Sequence, residues 1–454
     1  MADPIVVLGA GPAGGAVALG LRRLGYEVIV IGQPRPFDAV EGISERVVEG
    51  LRGAGFKEAL KAVRQPSARN ATWNGESNSA NTERLITRKH LDAGIWQDLL
   101  NAGVTCIDGR IKSVDTQLDE GQGRKTSVVQ VSYQVTDSDN TNELQTITGS
   151  FLVEARGRAA PSAQLKRFRG AETVSLLQYW QGSEAQAQSA AVSFADGWAW
   201  LAMTEEGKRY LQLTFDVASA NLPPKAELSE FCTQRLSEIP EAEPFMRDAQ
   251  PVGEPHARTS TPILCEQCTG DNWIRVGDAA MAVDPLSGNG IFQAMSSALQ
   301  APAVINTLLK YPERKQLAQD FHQARVTALF YRFARIGRDF YQMERNWSAG
   351  AFWQTRHHWP DDQPLHVETT FDDFEVKTLP VVQNGEIVAA DVVVTPDQPL
   401  GIWHLGGIPL APVVTAVQSR QAGQPLESCL APLGLQPNAL EGITRWLLTQ
   451  GVPR

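Results

Sequence analysis

Three glycines, Gly9, Gly11 and Gly14, follow an apolar run in PIVVLGAGPAGG at the spacing G-x-G-x-x-G. Each answers a different physical need. Gly9 permits a tight turn, Gly11 lets the backbone approach a pyrophosphate, and Gly14 lets a helix pack closely on a strand. Together with Ala10, Pro12 and Ala13 they build a turn whose N–H groups and following helix N-terminus favour a phosphate anion. A second such stretch, DPLSGNG, leads into an Ala/Ser-rich helical pattern. Its Pro285, Gly288, Asn289 and Gly290 again put small residues and free N–H groups where a helix begins, a place suited to negative charge. Just upstream, Gly277 and Asp278 follow the apolar strand WIRV.

Two side chains are candidates for proton transfer. His256 lies in EPHARTS and Asp284 stands next to Pro285; the plainer roles open to them are a structural histidine and a helix-capping carboxylate. Trp198 and Trp200 lie two apart in ADGWAWLAM, so on a strand they face one side, either lining an aromatic site or filling core. Cys265 and Cys268 form a C-x-x-C pair with neither a second pair nor a histidine partner, and no metal site is expected from it.

These residues need elements to hold them. Residues 5–8 read as a buried strand, 16–24 as a helix capped by Gly25, and 27–31 as a second strand. An acidic residue normally ends that second strand and holds ribose hydroxyls; here Gly32 and Gln33 stand in its place, so that either Gln33 accepts one hydroxyl hydrogen bond or a polar group elsewhere replaces the anchor. Residues 174–265 alternate in polarity as an antiparallel sheet does, and 313–359 spread aromatics over a helical pattern. The expected architecture is α/β: a Rossmann-like nucleotide domain from 1–170 and 266–312, a substrate sheet from 171–265, a helical segment from 313–364, and a small C-terminal domain from 365–454 suited to docking a protein. Only one G-x-G-x-x-G follows a strand, so no second dinucleotide domain is expected.

The net charge of −10 disfavours a grip on nucleic acid. No apolar run reaches the length of a membrane span. The five cysteines are an odd, scattered set that suggests no disulfide framework, and the acidic start MADP is unlike a secretory leader, so the expected place is the cytoplasm.

Several separated stretches resemble one family, the single-Rossmann FAD-dependent monooxygenases and tryptophan halogenase-like flavoproteins. VEGISERVVEGLRGAGF is similar to the family's E-S-x-S-P-R segment and helix, with Ser44 and Arg46 at cofactor-contacting places. Arg88 in ITRKHLDAG matches the arginine of the R-x-x-L-D helix, which reaches the FAD ribose and phosphates. Residues 109–114 resemble the strand whose main chain meets adenine, at Ile111. VEARGRAA resembles D-A-S-G-R, with Glu154 and Arg156 as departures. The resemblance implies that Asp278 holds the ribityl chain, that the 285–290 loop meets the isoalloxazine ring, and that the His256 strand passes near the flavin.

Two further departures bear on the chemistry. The halogenases' W-x-W-x-I-P motif has Ala202 and Met203 in place of Ile-Pro, and their relay lysine has no counterpart in RQPSARNATWNG, which offers Arg64 and Arg69. Oxygen transfer is therefore expected over halogenation. The tail YQMERNWSAGAFWQTR and the C-terminal extension resemble flavoproteins that modify a tryptophan during cysteine tryptophylquinone maturation, serving quinohemoprotein amine dehydrogenase and the lysine or glycine oxidases. The implied activity is FAD-dependent hydroxylation of an indole ring, in a protein or peptide tryptophan, with NAD(P)H or a separate flavin reductase as electron donor. The alternatives are a halogenase or reductase of the same fold, or a non-catalytic flavin-binding assembly factor.

Overall fold

Four consecutive apolar residues, Ile5–Leu8, are buried on both faces and form the centre of a parallel sheet. Val28–Gly32 pairs with them on one side and Phe151–Glu154 on the other, both parallel. The computed structural model describes residues 3–35, 38–119, 126–135, 143–288, 290–421 and 423–453. In it this sheet has seven strands, in the order Trp273–Arg275, Phe151–Glu154, Ile5–Leu8, Val28–Gly32, Thr105–Asp119, Thr126–Val135 and Leu144–Gly149. Thr105–Asp119 runs parallel to Val28–Gly32 as far as Asp108, then continues antiparallel to Thr126–Val135. Helix Pro12–Arg23 begins four residues before the apolar periodicity does, because proline suits the first helical turn and the small residues after it show no periodic signal. One sheet face packs on the helices Pro12–Arg23, Arg88–Asn101 and Ala301–Lys310, and the other on Val129, Val131 and Tyr133.

The second sheet has eight strands: Ala249–Thr259, Thr173–Gly182, Lys208–Asp216, Gly197–Met203, Gln188–Phe194, Pro66–Trp73, Glu76–Thr87 and Val40–Ile43. It is wider than the expected 171–265 segment, since three of its strands come from 40–87. Glu76–Thr87 begins with seven exposed residues, so its sequence carries no core-facing alternation to read.

Cross-strand register sorts the sheet into two faces. Leu176, Val192, Phe194, Ala199, Leu201, Leu211, Leu213 and Phe215 point one way, into a core with helix Leu228–Ser237. Arg69, Ala71, Ser189, Ala191, Trp198, Trp200, Tyr179 and His256 share the opposite face. The long helix Lys315–Met343 and the short Ala351–His357 pack beside that second face.

Beyond residue 365 the hairpin Glu375–Gln383/Glu386–Val394 and three helices enclose a core of their own. The hairpin tip is fastened to the nucleotide domain. Asn306 Nδ2 donates to Gly385 O at 2.8 Å, and Ile387 N donates to Thr307 Oγ1 at 2.7 Å. Among the described residues no helix is long and apolar enough to cross a membrane.

Candidate flavin and substrate site

The glycine turn stands at the C-terminal edge of the parallel sheet, where ligands of open α/β sheets bind. Gly9 has φ +105°, and a Cβ there would lie 2.5 Å from Ala155 O; a Cβ at Gly14 would lie 1.9 Å from Gly9 O. Only glycine fits either place. Gly11 is different: its backbone is extended, and a Cβ would meet nothing nearer than Arg88 Nη2 at 3.9 Å. The turn is thus closed on its packing side and open at Gly11, with Ala10, Pro12 and Ala13 completing it. That open cradle fits a pyrophosphate.

Arg88 is buried beside it, with Nη1 on Glu41 Oε1 and Nη2 on Asp92 Oδ1, each at 2.8 Å. Burial raises the Glu41 carboxyl, but the Arg88 and then the Arg35 guanidinium outweigh it and hold Glu41 below the usual carboxylate range. Glu41 went unnoticed in the sequence because it sits three positions from Ser44 with no motif of its own. Ser44 is the N-cap residue of helix Glu45–Ala54, and Arg46 is exposed on its first turn. Gln33 is exposed just past the second strand, and Ile111 lies three residues beyond the parallel pairing of its strand.

Glu154 and Arg156, the two departures from the family pattern, compensate one another. Arg156 Nε donates to Glu154 Oε1 at 2.9 Å, so the buried carboxylate keeps a partner. Gly277 packs on the glycine turn: a Cβ on it would lie 2.8 Å from Ala13 Cβ. Asp278 follows, with Arg158 Nε at 3.7 Å; the surrounding protein pushes its carboxyl up, and Arg158 pulls it back.

Asp284 is buried, and its Oδ1 accepts from Leu286 N at 2.9 Å, capping the turn Pro285–Ser287. Burial raises its carboxyl, against the Arg356 guanidinium and the Leu286 N–H. The capping role is therefore realised here. Gly288 then takes a left-handed conformation, φ +63°, and Gly290 opens helix Gly290–Ala298 with nothing within 4 Å of an added Cβ. Asn289 lies outside the described residues.

Leu286 joins the loop to the second face of the large sheet, packing with Trp198, Tyr341, Phe352 and Trp353. Trp198 is buried in this wall, whereas Trp200 is partly exposed and bridges to a second aromatic group. That group holds Tyr179 against Tyr210 at 5.4 Å and against His256 at 5.3 Å. Burial, then Arg258, lowers the His256 imidazole from its ordinary value, which favours its neutral form. Arg356 and Asp216, 3.2 Å apart and each 5% exposed, form a buried ion pair behind the wall that the sequence reading missed. Cys265 and Cys268 are buried and free, their thiols directed at Ala279 O and Cys265 O, and burial pushes Cys268 up to about 12.

Among the described residues, one dinucleotide-type cleft facing a mostly antiparallel sheet lined with aromatic side chains defines an FAD-dependent monooxygenase-type flavoprotein. Residues 3–327 match the FAD binding domain family; the chain belongs to it, and its cofactor is FAD. Over its whole length the chain is similar to the solved structure of QhpG, described as a peptidyl tryptophan dihydroxylase essential for tryptophylquinone cofactor biogenesis. The two are 47% identical, cover 100% of each other and superpose with a TM-score of 0.83. A tryptophan 2-halogenase of Chondromyces crocatus is 27% identical over 75% of this chain and 68% of its own. The flavin-dependent halogenase CmlS shares the fold, with 16% identity, a TM-score of 0.77 and coverage of 100% of this chain and 96% of its own.

Proposed function

We propose that this protein is an FAD-dependent monooxygenase that hydroxylates the indole ring of a tryptophan side chain within a polypeptide, during tryptophylquinone maturation. The similarity to a peptidyl tryptophan dihydroxylase carries this reading, because it spans both chains in full and so includes the C-terminal extension. Bound FAD, once reduced, supplies the activation of dioxygen. The chain's own residues do the rest. Gly9 to Gly14 cradle the pyrophosphate, with Arg88 beside it, and Asp278 holds the ribityl chain. Gln33, Ser44, Arg46 and Ile111 flank the nucleotide end, while Pro285, Gly288, Asn289 and Gly290 face the ring.

Leu286 and Trp198 exclude water, and Trp200 lines the indole position. Neutral His256 accepts the proton that leaves the substituted ring, and Asp284 fixes the ring loop. Electrons come from NAD(P)H or a partner flavin reductase. The domain boundary near residue 364 leaves 365–454 as the polypeptide-docking unit. Five free cysteines suit a reducing compartment, here the cytoplasm.

The test is mass spectrometry of a tryptophan-containing peptide from a quinone-bearing subunit, incubated with enzyme, oxygen and an electron donor, with and without bromide. A gain of one or two oxygen atoms, indifferent to bromide, is expected. A brominated product would replace this reading with halogenation.

A further inference from the structure

We infer that Arg69 acts on the flavin from the substrate sheet, as the fixed cation that favours the reduced, anionic form of the cofactor. Arg69 pairs with Ser189 across strands Pro66–Trp73 and Gln188–Phe194, which puts its side chain on the face that carries Trp198 and Trp200. A Cβ added at Gly288 would lie 3.8 Å from Arg69 Nη2, so the guanidinium stands against the ring loop. Its Nε is buried and has no hydrogen-bond partner. The nearest carboxylate oxygen, Glu83 Oε2, is 3.7 Å from that Nε, beyond hydrogen-bond reach. Glu83 itself is turned to Ser189, whose hydroxyl donates to it.

The neighbouring arginines are used differently. Arg64 binds Glu206 Oε1 at 2.7 Å, and Arg84 binds Glu45 and the Arg64 carbonyl. Arg69 differs from both in that its guanidinium reaches the ring loop, with Nη2 beside Gly288. A half-buried guanidinium whose carboxylate neighbour stands 3.7 Å away is only partly neutralised, and an anion in the cleft would complete it. FAD supplies one on reduction, because taking up two electrons and one proton leaves it with one more negative charge. A fixed cation at the loop therefore binds the reduced cofactor more tightly than the oxidised one, and Glu83 sets how much of that charge is felt.

This inference rests on FAD occupying the cleft, not on which substrate is oxidised. The experiment measures the dissociation constant for oxidised FAD and the two-electron potential of the bound cofactor, using dithionite and a reference dye. Arg69→Gln should leave oxidised FAD bound as in the wild type. It should lower the preference for reduced over oxidised FAD by about tenfold, a charge effect at the low end of its range because the side chain is partly solvated. That corresponds to a potential about 30 mV more negative. Arg69→Lys should keep most of the effect, and Arg64→Gln should show none. Glu83→Gln should shift the potential upward, since it removes the partly neutralising charge.

An unchanged potential in Arg69→Gln, or shifts of the same sign in the Arg69 and Glu83 variants, overturns the assignment. If Arg69→Gln does not fold, Glu83→Gln decides, and an unchanged or lowered potential there overturns it equally. A protein that gives these potentials but leaves peptide tryptophan unmodified would refute the proposed function and leave this inference standing.

Discussion

Gly11 and Gly14 belong to one motif, but the structure gives them separable duties, and a pair of substitutions tests the separation. Gly11→Val adds a side chain at a position with ordinary extended backbone and no heavy atom within 3.9 Å of the new Cβ. The fold should lose only the N-cap preference of glycine over an apolar residue, roughly 1 kcal/mol. In a chain of this size that is a fall of about 2 °C or less in Tm. The valine nevertheless fills the space through which the backbone meets the pyrophosphate. Losing one or two charge-assisted hydrogen bonds, at about 1.5 to 3 kcal/mol each, should weaken FAD at least about tenfold. Gly14→Ala does the reverse: a Cβ at 1.9 Å from Gly9 O forces strand and helix apart. A destabilisation of about 3 kcal/mol or more, of the kind seen on overpacking, should follow. The assay pairs thermal unfolding of the apoproteins with titration of FAD followed by flavin absorbance. A Gly11→Val protein that binds FAD as the wild type does, or a Gly14→Ala protein of unchanged Tm, would refute the reasoning.

Two further outcomes follow from buried charge. Arg88→Met leaves Glu41 and Asp92 without their cation; because these carboxylates are 34% and 22% exposed, the loss should be about 2 kcal/mol rather than the larger cost of a fully buried pair. The Glu41 carboxyl is held low in the folded protein, so this contribution is present above the ordinary carboxylate range and lost as pH falls through the folded value. Denaturant unfolding should show wild type and variant converging toward acid pH; a constant gap would count against the assignment. His322 is buried with Nε2 donating to Arg275 O at 2.9 Å, and burial lowers it to about 4. Its unfolded form takes up a proton near pH 6.5, so stability falls from there down to about pH 4, by about 3 kcal/mol in total. His322→Gln should flatten that part of the stability–pH curve, and an unaltered slope would remove His322 as its cause.

The nucleotide half of the site was legible because its chemistry is local. Gly9, Gly14 and Gly277 sit in short segments where backbone conformation and close approach dictate residue type. The pair of tryptophans was legible only in direction: period two put Trp198 and Trp200 on one face, but that one is walled in and the other partly open depends on Leu286 and Tyr341, distant in sequence. Glu41 and the Arg356–Asp216 pair left no trace, since each is made by elements far apart along the chain and a lone charged residue has no periodicity. The strands from 40–87 were hidden for a related reason. A strand whose outer half is solvated shows little apolar alternation, and only its neighbours reveal that it is part of a sheet.

The edge strand Trp273–Arg275 joins the parallel sheet beside Phe151–Glu154, although every strand of the eight-stranded sheet precedes it in the chain. A ribosome therefore delivers the eight-stranded sheet before the wall that carries Gly277 and Asp278, since chains fold as they emerge from the N-terminus. The glycine turn is synthesised first but waits for its partner: Gly277 closes on Ala13 only after some 260 intervening residues have emerged, a count from their positions in the sequence. Coenzyme loading is thereby placed late in biosynthesis. A nascent polypeptide stalled before Trp273 would carry every strand of the aromatic face but not the segment with Gly277 and Asp278.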